Sequence, residues 1–189
     1  IWCSDNTDAI DRIRIQYGTS FGYPISAVGS HVSAVPNHQT GRSVPLKTRG
    51  AVAMAGSFGY ELDLGKLTPA EKEEVKVQVK AYKDNWKLIQ DGDYYRLSNP
   101  YEPDGLGAWE FAAEDGSEAL LTVVALNTHG NPLTSYVRLK GLRADGWYRD
   151  EAAGRMYGGR ALMEGGIPVP HMEDEYQSWQ MHLRLCEER

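Results

Sequence analysis

Near residue 91 the chain changes its hydrophobic period, and that change constrains the fold more than any single motif. Up to that point, apolar and β-branched runs alternate with segments of helical spacing. Beyond it, short alternating runs are cut by Gly and Asp turns. Strands that alternate with helices are joined by crossovers, so the first pattern implies a parallel sheet or part of a barrel. Short strands joined by tight turns imply antiparallel pairing. Two architectures are therefore expected in one chain, over residues 1–97 and 98–189, with Ser98-Asn99-Pro100-Tyr101-Glu102-Pro103-Asp104-Gly105 as the joint.

Three strand-helix units are expected in the first part. Ile1-Trp2-Cys3 suits a short buried strand, and Asp8 to Tyr17 suits a helix with Ile10, Ile13 and Tyr17 on one face. Gly18 is a plausible stop, and Asp8 and Arg12 lie four apart, the spacing of a surface ion pair. Phe21 to Val35 reads as a second strand running into the polar loop Asn37-His38-Gln39-Thr40-Gly41-Arg42. Thr48 to Gly56, rich in small residues, suits a helix packed closely against a neighbour, and Phe58, Tyr60, Leu62 and Leu64 alternate as a strand. Thr68-Pro69-Ala70-Glu71 is a capping box with Pro at the first helical position. Val75, Val79, Tyr82, Trp86 and Ile89 then continue one apolar stripe.

In the second part, the turns Asp91-Gly92-Asp93, Asp115-Gly116, Asp145-Gly146 and Gly158-Gly159 separate runs such as Leu120 to Leu126, Ser135 to Leu139 and Ser178 to Leu185. These imply an antiparallel β-sandwich. The tryptophans Trp86, Trp109, Trp147 and Trp179 lie in periodic segments and read as core.

Charge and cysteine usage narrow the function classes. Twenty Lys and Arg against 26 Asp and Glu leave a net charge of −6, with no basic run to follow a phosphate backbone, so nucleic acid is not an expected partner. No run approaches the roughly 18 consecutive apolar residues of a membrane span, and a membrane partner is not expected either. Cys3 and Cys186 are too few for a disulfide framework and are expected as reduced thiols of a cytoplasmic protein. The first residue, Ile1, falls inside an apparent strand with no initiator Met, which reads as a fragment.

Candidate chemistry concentrates at the start. Asp5, Asp8 and Asp11 recur every third residue around a helix N-terminus, where carboxylates cap free N–H groups and complement the dipole. The spacing lacks the alternating ligands and central Gly of a calcium loop, so no metal is expected. His31 and His38 bracket a polar loop without the partners of a metal site. Ser57, in Ala55-Gly56-Ser57-Phe58-Gly59, lies in no nucleophile elbow.

Taken together, several segments resemble one family. Trp2-Cys3-Ser4-Asp5-Asn6-Thr7-Asp8-Ala9-Ile10-Asp11-Arg12-Ile13 is similar to the acid/base segment of bacterial α-galactosidases of glycoside hydrolase family thirty-six. Ser30 to Gln39, Thr48-Arg49-Gly50 and Phe58 to Leu64 resemble further family segments in the same order, and Tyr148-Arg149-Asp150 and Ser178 to Leu185 resemble its C-terminal β-domain. The resemblance implies the last three strand-helix units of a (β/α)8 TIM barrel followed by a C-terminal antiparallel β-sandwich. It implies a retaining hydrolase of terminal α-galactosyl residues in melibiose- and raffinose-type sugars, without a cofactor, in an enzyme that is a homo-oligomer, commonly a tetramer. The first Asp of the family's Ser-Asp-x-Thr-Asp motif is the general acid/base and falls on Asp5; Asn6, Asp8 and His31 are further candidates for sugar contact.

The family's nucleophile is an Asp in a Lys-Trp-Asp motif, and no tryptophan of this chain follows a Lys. These residues alone are therefore expected to be inactive. Asp8 is expected mainly to cap the helix, a role whose loss costs about 1 kcal/mol. Two other readings stand beside this one: a non-catalytic carbohydrate-binding or assembly module carried by the β-rich half, and an α-N-acetylgalactosaminidase, which differs in the space around the second carbon of the sugar.

Overall fold

A computed structural model of the chain describes residues 1–102, 105–128 and 133–186. It divides between Gln90 and Asp91 into two units, Ile1–Gln90 and Asp91–Arg189. That division falls ahead of the expected joint, of which Pro103 and Asp104 lie outside the described residues, because the strand Asp93–Arg96 pairs within the second unit.

The elements of the first unit are α1 (Ala9–Thr19), β1 (Gly29–Ser33), α2 (Leu46–Ala53), β2 (Ser57–Glu61), α3 (Pro69–Asp84) and, leading into the second unit, α4 (Trp86–Asp91). β1 and β2 pair in parallel, from Gly29 opposite Ser57 to Ser33 opposite Glu61. Ile1–Cys3 does not form a full strand, but Ile1 runs alongside in the parallel manner: its N donates to Ala27 O and its carbonyl accepts from Gly29 N–H at 2.9 Å. Two paired parallel strands with a flanking segment carry the expected alternation, yet they do not close a barrel by themselves.

Small residues set how closely the helices pack. A Cβ on Gly50 of α2 would lie 2.4 Å from Gln78 Cδ of α3, so glycine permits this approach where any larger residue would collide. Gln78 is buried and makes good its polar atoms: Nε2 donates to Leu46 O at 3.0 Å, and Oε1 accepts from Tyr60 Oη at 2.7 Å. Burial pushes the Tyr60 hydroxyl up to about 12. The capping box forms as its residues dictate, Thr68 Oγ1 accepting from Glu71 N–H and Glu71 Oε2 from Thr68 N–H. The expected single helix through residue 90 is interrupted at Asn85 (φ −99°, ψ 6°), whose N–H and Nδ2 both donate to Ala81 O. The break divides the apolar stripe, leaving Trp86 exposed and Ile89 buried.

In the second unit, β3 (Asp93–Arg96), β4 (Leu106–Ala112), β5 (Glu118–Ala125), β7 (Trp147–Asp150), β8 (Met156–Gly158) and β10 (Ser178–Cys186) form one antiparallel sheet. Its order is β3-β4-β5-β10-β7-β8, so the last strand of the chain inserts between β5 and β7. β6 (Tyr136–Val137) and β9 (Ile167–Pro168) form a second, two-stranded sheet. The run expected as a strand from Ser135 to Leu139 is thus mostly irregular, with Leu139 N–H bonded to Leu162 O of a π-helical turn, Ala161–Gly165. Val137, Leu139, Leu142, Leu162 and Ile167 close over one face of the large sheet, against Ala108, Leu121, Val123, Met181 and Leu183. Burying each Val, Leu, Ile or Met is worth roughly 1.5–3 kcal/mol, which makes this the unit's main source of stability. The expected sandwich is realised as a six-stranded sheet under a short, largely irregular second layer.

Two polar side chains penetrate that core. Tyr148 is fully buried, with its hydroxyl donating to Gly116 O at 2.6 Å and accepting from Arg143 N–H at 2.7 Å. Glu110, 0% exposed, has one carboxyl oxygen accepting from Lys140 N–H at 2.6 Å while Oε2 has no partner. Burial pushes its carboxyl up to about 8.

Candidate active site

The turn between Cys3 and α1 is built from short polar side chains that bond their own backbone. Ser4 Oγ accepts from Asn6 N–H at 3.1 Å and Asn6 Oδ1 from Asp8 N–H at 2.9 Å, while Asn6 Nδ2 reaches Asp11 Oδ2 at 2.8 Å. Asp8 is the N-cap of α1, with Oδ1 accepting from the N–H groups of Ile10 and Asp11, both at 3.0 Å. It also has long-range partners: Thr40 Oγ1 donates to Oδ2 at 2.8 Å, and the Arg42 guanidinium donates to Oδ1. At 1% exposed and with both oxygens engaged, Asp8 is not available for the sugar contact expected of it.

The Asp8–Arg12 surface pair expected from spacing is also not formed. Arg12 is buried beneath the turn and donates to Ser4 O at 3.4 Å, Gly29 O at 2.6 Å and Gln16 Oε1 at 3.4 Å. Gln16 in turn accepts from Ser30 Oγ at 2.9 Å and donates to Val52 O at 3.2 Å. Ser33 Oγ and Asn37 Nδ2 bond Thr7 from the end of β1 and the loop after it. The acidic turn is thereby tied to β1, to α2 and to the Asn37–Arg42 loop, and its backbone geometry is held from below.

Asp5 stands exposed at the top of this framework, where Trp2 Nε1 donates to its Oδ1 at 2.7 Å. Trp2, expected in a buried strand, is 57% exposed; its ring lies 4.9 Å from that of His31 on β1, tilted by 37°. His31 Nδ1 is 3.8 Å from Glu61 Oε2 at the end of β2. Trp2, whose indole bonds Asp5, also lines a recess with Ser4, Asn6, Thr7, Arg12, Gly29 and His31.

Of the four candidate site residues, Asn6 and His31 line this recess, Asp5 is bonded to its lining residue Trp2, and Asp8 is turned into the framework. His38 is exposed on the neighbouring loop. Among the described residues, no group of three or more His, Cys, Asp or Glu side chains is placed to hold a metal ion, and Cys3 and Cys186 are both free. Of the other tryptophans, Trp109 is buried and Trp179 half-buried, whereas Trp86 and Trp147 are exposed. Sequence reasoning did not single out Trp2, Glu61, Arg12 or Arg42 for the places they take. The one signal for Arg42 was its position in a polar loop.

Chemically, the site offers one solvent-facing carboxyl on a rigid turn beside the end of a parallel sheet, with a donor-only indole N–H fixed on one of its oxygens. Such a carboxyl is suited to proton transfer.

Both parts of the chain match glycoside hydrolases. Residues 1–92 match the Melibiase family, and residues 106–183 match the Glycosyl hydrolase family 36 C-terminal domain. The chain is 54% identical over 180 residues to the bifunctional alpha-galactosidase/sucrose kinase AgaSK of Mediterraneibacter gnavus, covering 95% of this chain and 19% of that protein. It is 50% identical over 187 residues to alpha-galactosidase AgaA of Geobacillus stearothermophilus, covering 99% of this chain and 25% of that protein. The solved galactosidase domain of AgaSK is similar at a TM-score of 0.96 and 52% identity, over 98% of this chain and 26% of that one. A variant of AgaA in complex with raffinose is similar at a TM-score of 0.93 and 49% identity, over 97% of this chain and 25% of that one.

The chain belongs to glycoside hydrolase family 36. It spans about a fifth to a quarter of the length of these curated relatives.

Proposed function

We propose that these residues work within a larger retaining α-galactosidase that releases terminal α-galactosyl units from melibiose- and raffinose-type oligosaccharides, with Asp5 as its general acid/base. In this reading, the segment at Ile1 with β1 and β2 supplies consecutive strands of a (β/α)8 barrel, and the six-stranded unit is its C-terminal β-domain. The observation that carries the reading is the setting of Asp5: an exposed carboxyl on a turn braced from below, at a strand-to-helix connection where barrel enzymes keep catalytic groups.

Retaining glycosidases use two carboxyl groups about 5–5.5 Å apart. In the first step the nucleophilic carboxylate attacks the anomeric carbon while the acid gives its proton to the departing glycosidic oxygen. In the second, the acid, now a carboxylate, takes a proton from the water that displaces the ester. Asp5 fits the second of these groups. The nucleophile is assigned to the part of the enzyme outside these residues, since no Lys-Trp-Asp occurs among them.

Asp5→Asn keeps the shape of the side chain and its bond from Trp2 but removes the transferable proton. In the whole enzyme it should lower kcat/KM for raffinose by about 10²–10⁴-fold with an unchanged melting temperature. Turnover of raffinose at the parent rate would remove Asp5 from the mechanism.

A further inference from the structure

We infer that Trp2 is a positioning residue for the acid/base carboxyl: by holding Oδ1 of Asp5, it assigns the transferable proton to Oδ2. The inference rests on the reading of Asp5 given above and adds a residue to it. An indole N–H donates and does not accept, and the carbonyl oxygen of a neutral carboxyl is a better acceptor than its hydroxyl oxygen. The 2.7 Å bond from Trp2 Nε1 therefore favours Oδ1 as the carbonyl oxygen and leaves Oδ2 to carry the proton. When that proton passes to the leaving oxygen, Asp5 becomes a carboxylate and the same bond becomes charge-assisted, roughly twice as strong as a neutral one. Trp2 thus contributes most at the moment the proton has left.

Trp2 can serve this purpose because its own ring is seated. The ring lies 4.9 Å from that of His31, which Glu61 faces from β2 at 3.8 Å. Both rings lie over glycines: a Cβ on Gly29 would come 3.7 Å from Trp2 Cε3, and one on Gly59, directly opposite His31 in the ladder, 3.1 Å from His31 Cδ2. Contacts run from Glu61 on β2 through His31 on β1 to Trp2 and Asp5, so the position of the proton donor is referred back to the parallel strands.

Trp2→Phe in the whole enzyme keeps an aromatic ring beside His31 and deletes the N–H. The test measures kcat/KM for raffinose, whose sugar alkoxide must be protonated to leave, and for a 2,4-dinitrophenyl α-galactoside, whose phenolate leaves without that help. Losing a hydrogen bond to a charged group should lower the raffinose value about 10- to 100-fold while the dinitrophenyl value falls by no more than a few-fold. Gly59→Ala, which leaves Asp5 and Trp2 intact but displaces His31 beneath them, should show the same selectivity at a smaller amplitude and carries the test if Trp2→Phe does not fold. Equal losses on both substrates, or no loss on either, would overturn the inference while leaving Asp5 in place, provided Asp5→Asn retains its leaving-group dependence. If Asp5→Asn shows no such dependence, the reading of Asp5 falls first and the role of Trp2 falls with it.

Discussion

Buried charge is handled in opposite ways at the turn of the first unit and at Glu110 in the second. In the first, Asp8, Arg12 and Arg49 are all nearly inaccessible and all satisfied: Asp8 by two backbone N–H groups, Thr40 and Arg42, Arg12 by two carbonyls and Gln16, and Arg49 by the carbonyls of Val44 and Ser33. In the second, Glu110 sits in an apolar core with one donor and one oxygen left without a partner. Buried charges that tie loops to a sheet act as braces, and in the first unit they brace the turn that carries Asp5. A buried acid with half its bonds gives no such return and costs stability whenever it ionises.

Glu110→Gln should separate the two cases most widely. The folded pKa of Glu110 is raised to about 8 from an ordinary value of 4.5. Between those values the unfolded chain binds fewer protons at this site than the folded one, so stability falls as pH rises and levels off above about 8. The Gln variant, which cannot ionise, should match the parent near pH 4 and exceed it by up to a few kcal/mol above pH 8, by denaturant unfolding at a series of pH values. A constant difference across that range would mean that Glu110 is not buried as an acid.

Asp8→Ala addresses the opposite unit. Capping alone is worth about 1 kcal/mol, but breaking a buried charge pair costs about 3–5 kcal/mol; the low end, about 3 kcal/mol, is expected because Arg42 is partly exposed. A loss of only about 1 kcal/mol would reduce Asp8 to the cap read from the sequence. Thr68→Ala sets the scale for a cap alone: it removes the exposed capping box of α3 and should cost about 1 kcal/mol, with no effect on Asp5-dependent turnover.

What was legible in the sequence was local or periodic. Thr68-Pro69-Ala70-Glu71 specifies its own helix start within four residues, and the change of period near residue 91 separated parallel from antiparallel pairing. What was not legible depended on distant partners. Arg42 lies 34 residues from Asp8, and β10 is placed between β5 and β7 by pairings that no local pattern encodes. The four-residue spacing of Asp8 and Arg12 misled because that rule describes exposed helix surfaces, and Arg12 is buried under the turn. Trp2 was read as buried because its segment looked like a strand, whereas only Ile1 is bonded to β1 and the indole is left free to reach Asp5. Spacing alone left Asp5 as one of three capping carboxylates. The likeness to family members singled it out, and its exposure now distinguishes it from Asp8.

The central claim, that Asp5 exchanges a proton in both chemical steps, is tested most directly by chemical rescue. In the whole enzyme, Asp5→Ala should form the galactosyl-enzyme from a 2,4-dinitrophenyl α-galactoside but release it slowly, for want of a base to activate water. Added azide, a nucleophile that needs no base, should restore turnover and give α-galactosyl azide as the product. Turnover that azide does not accelerate, with galactose as the sole product, would contradict the assignment.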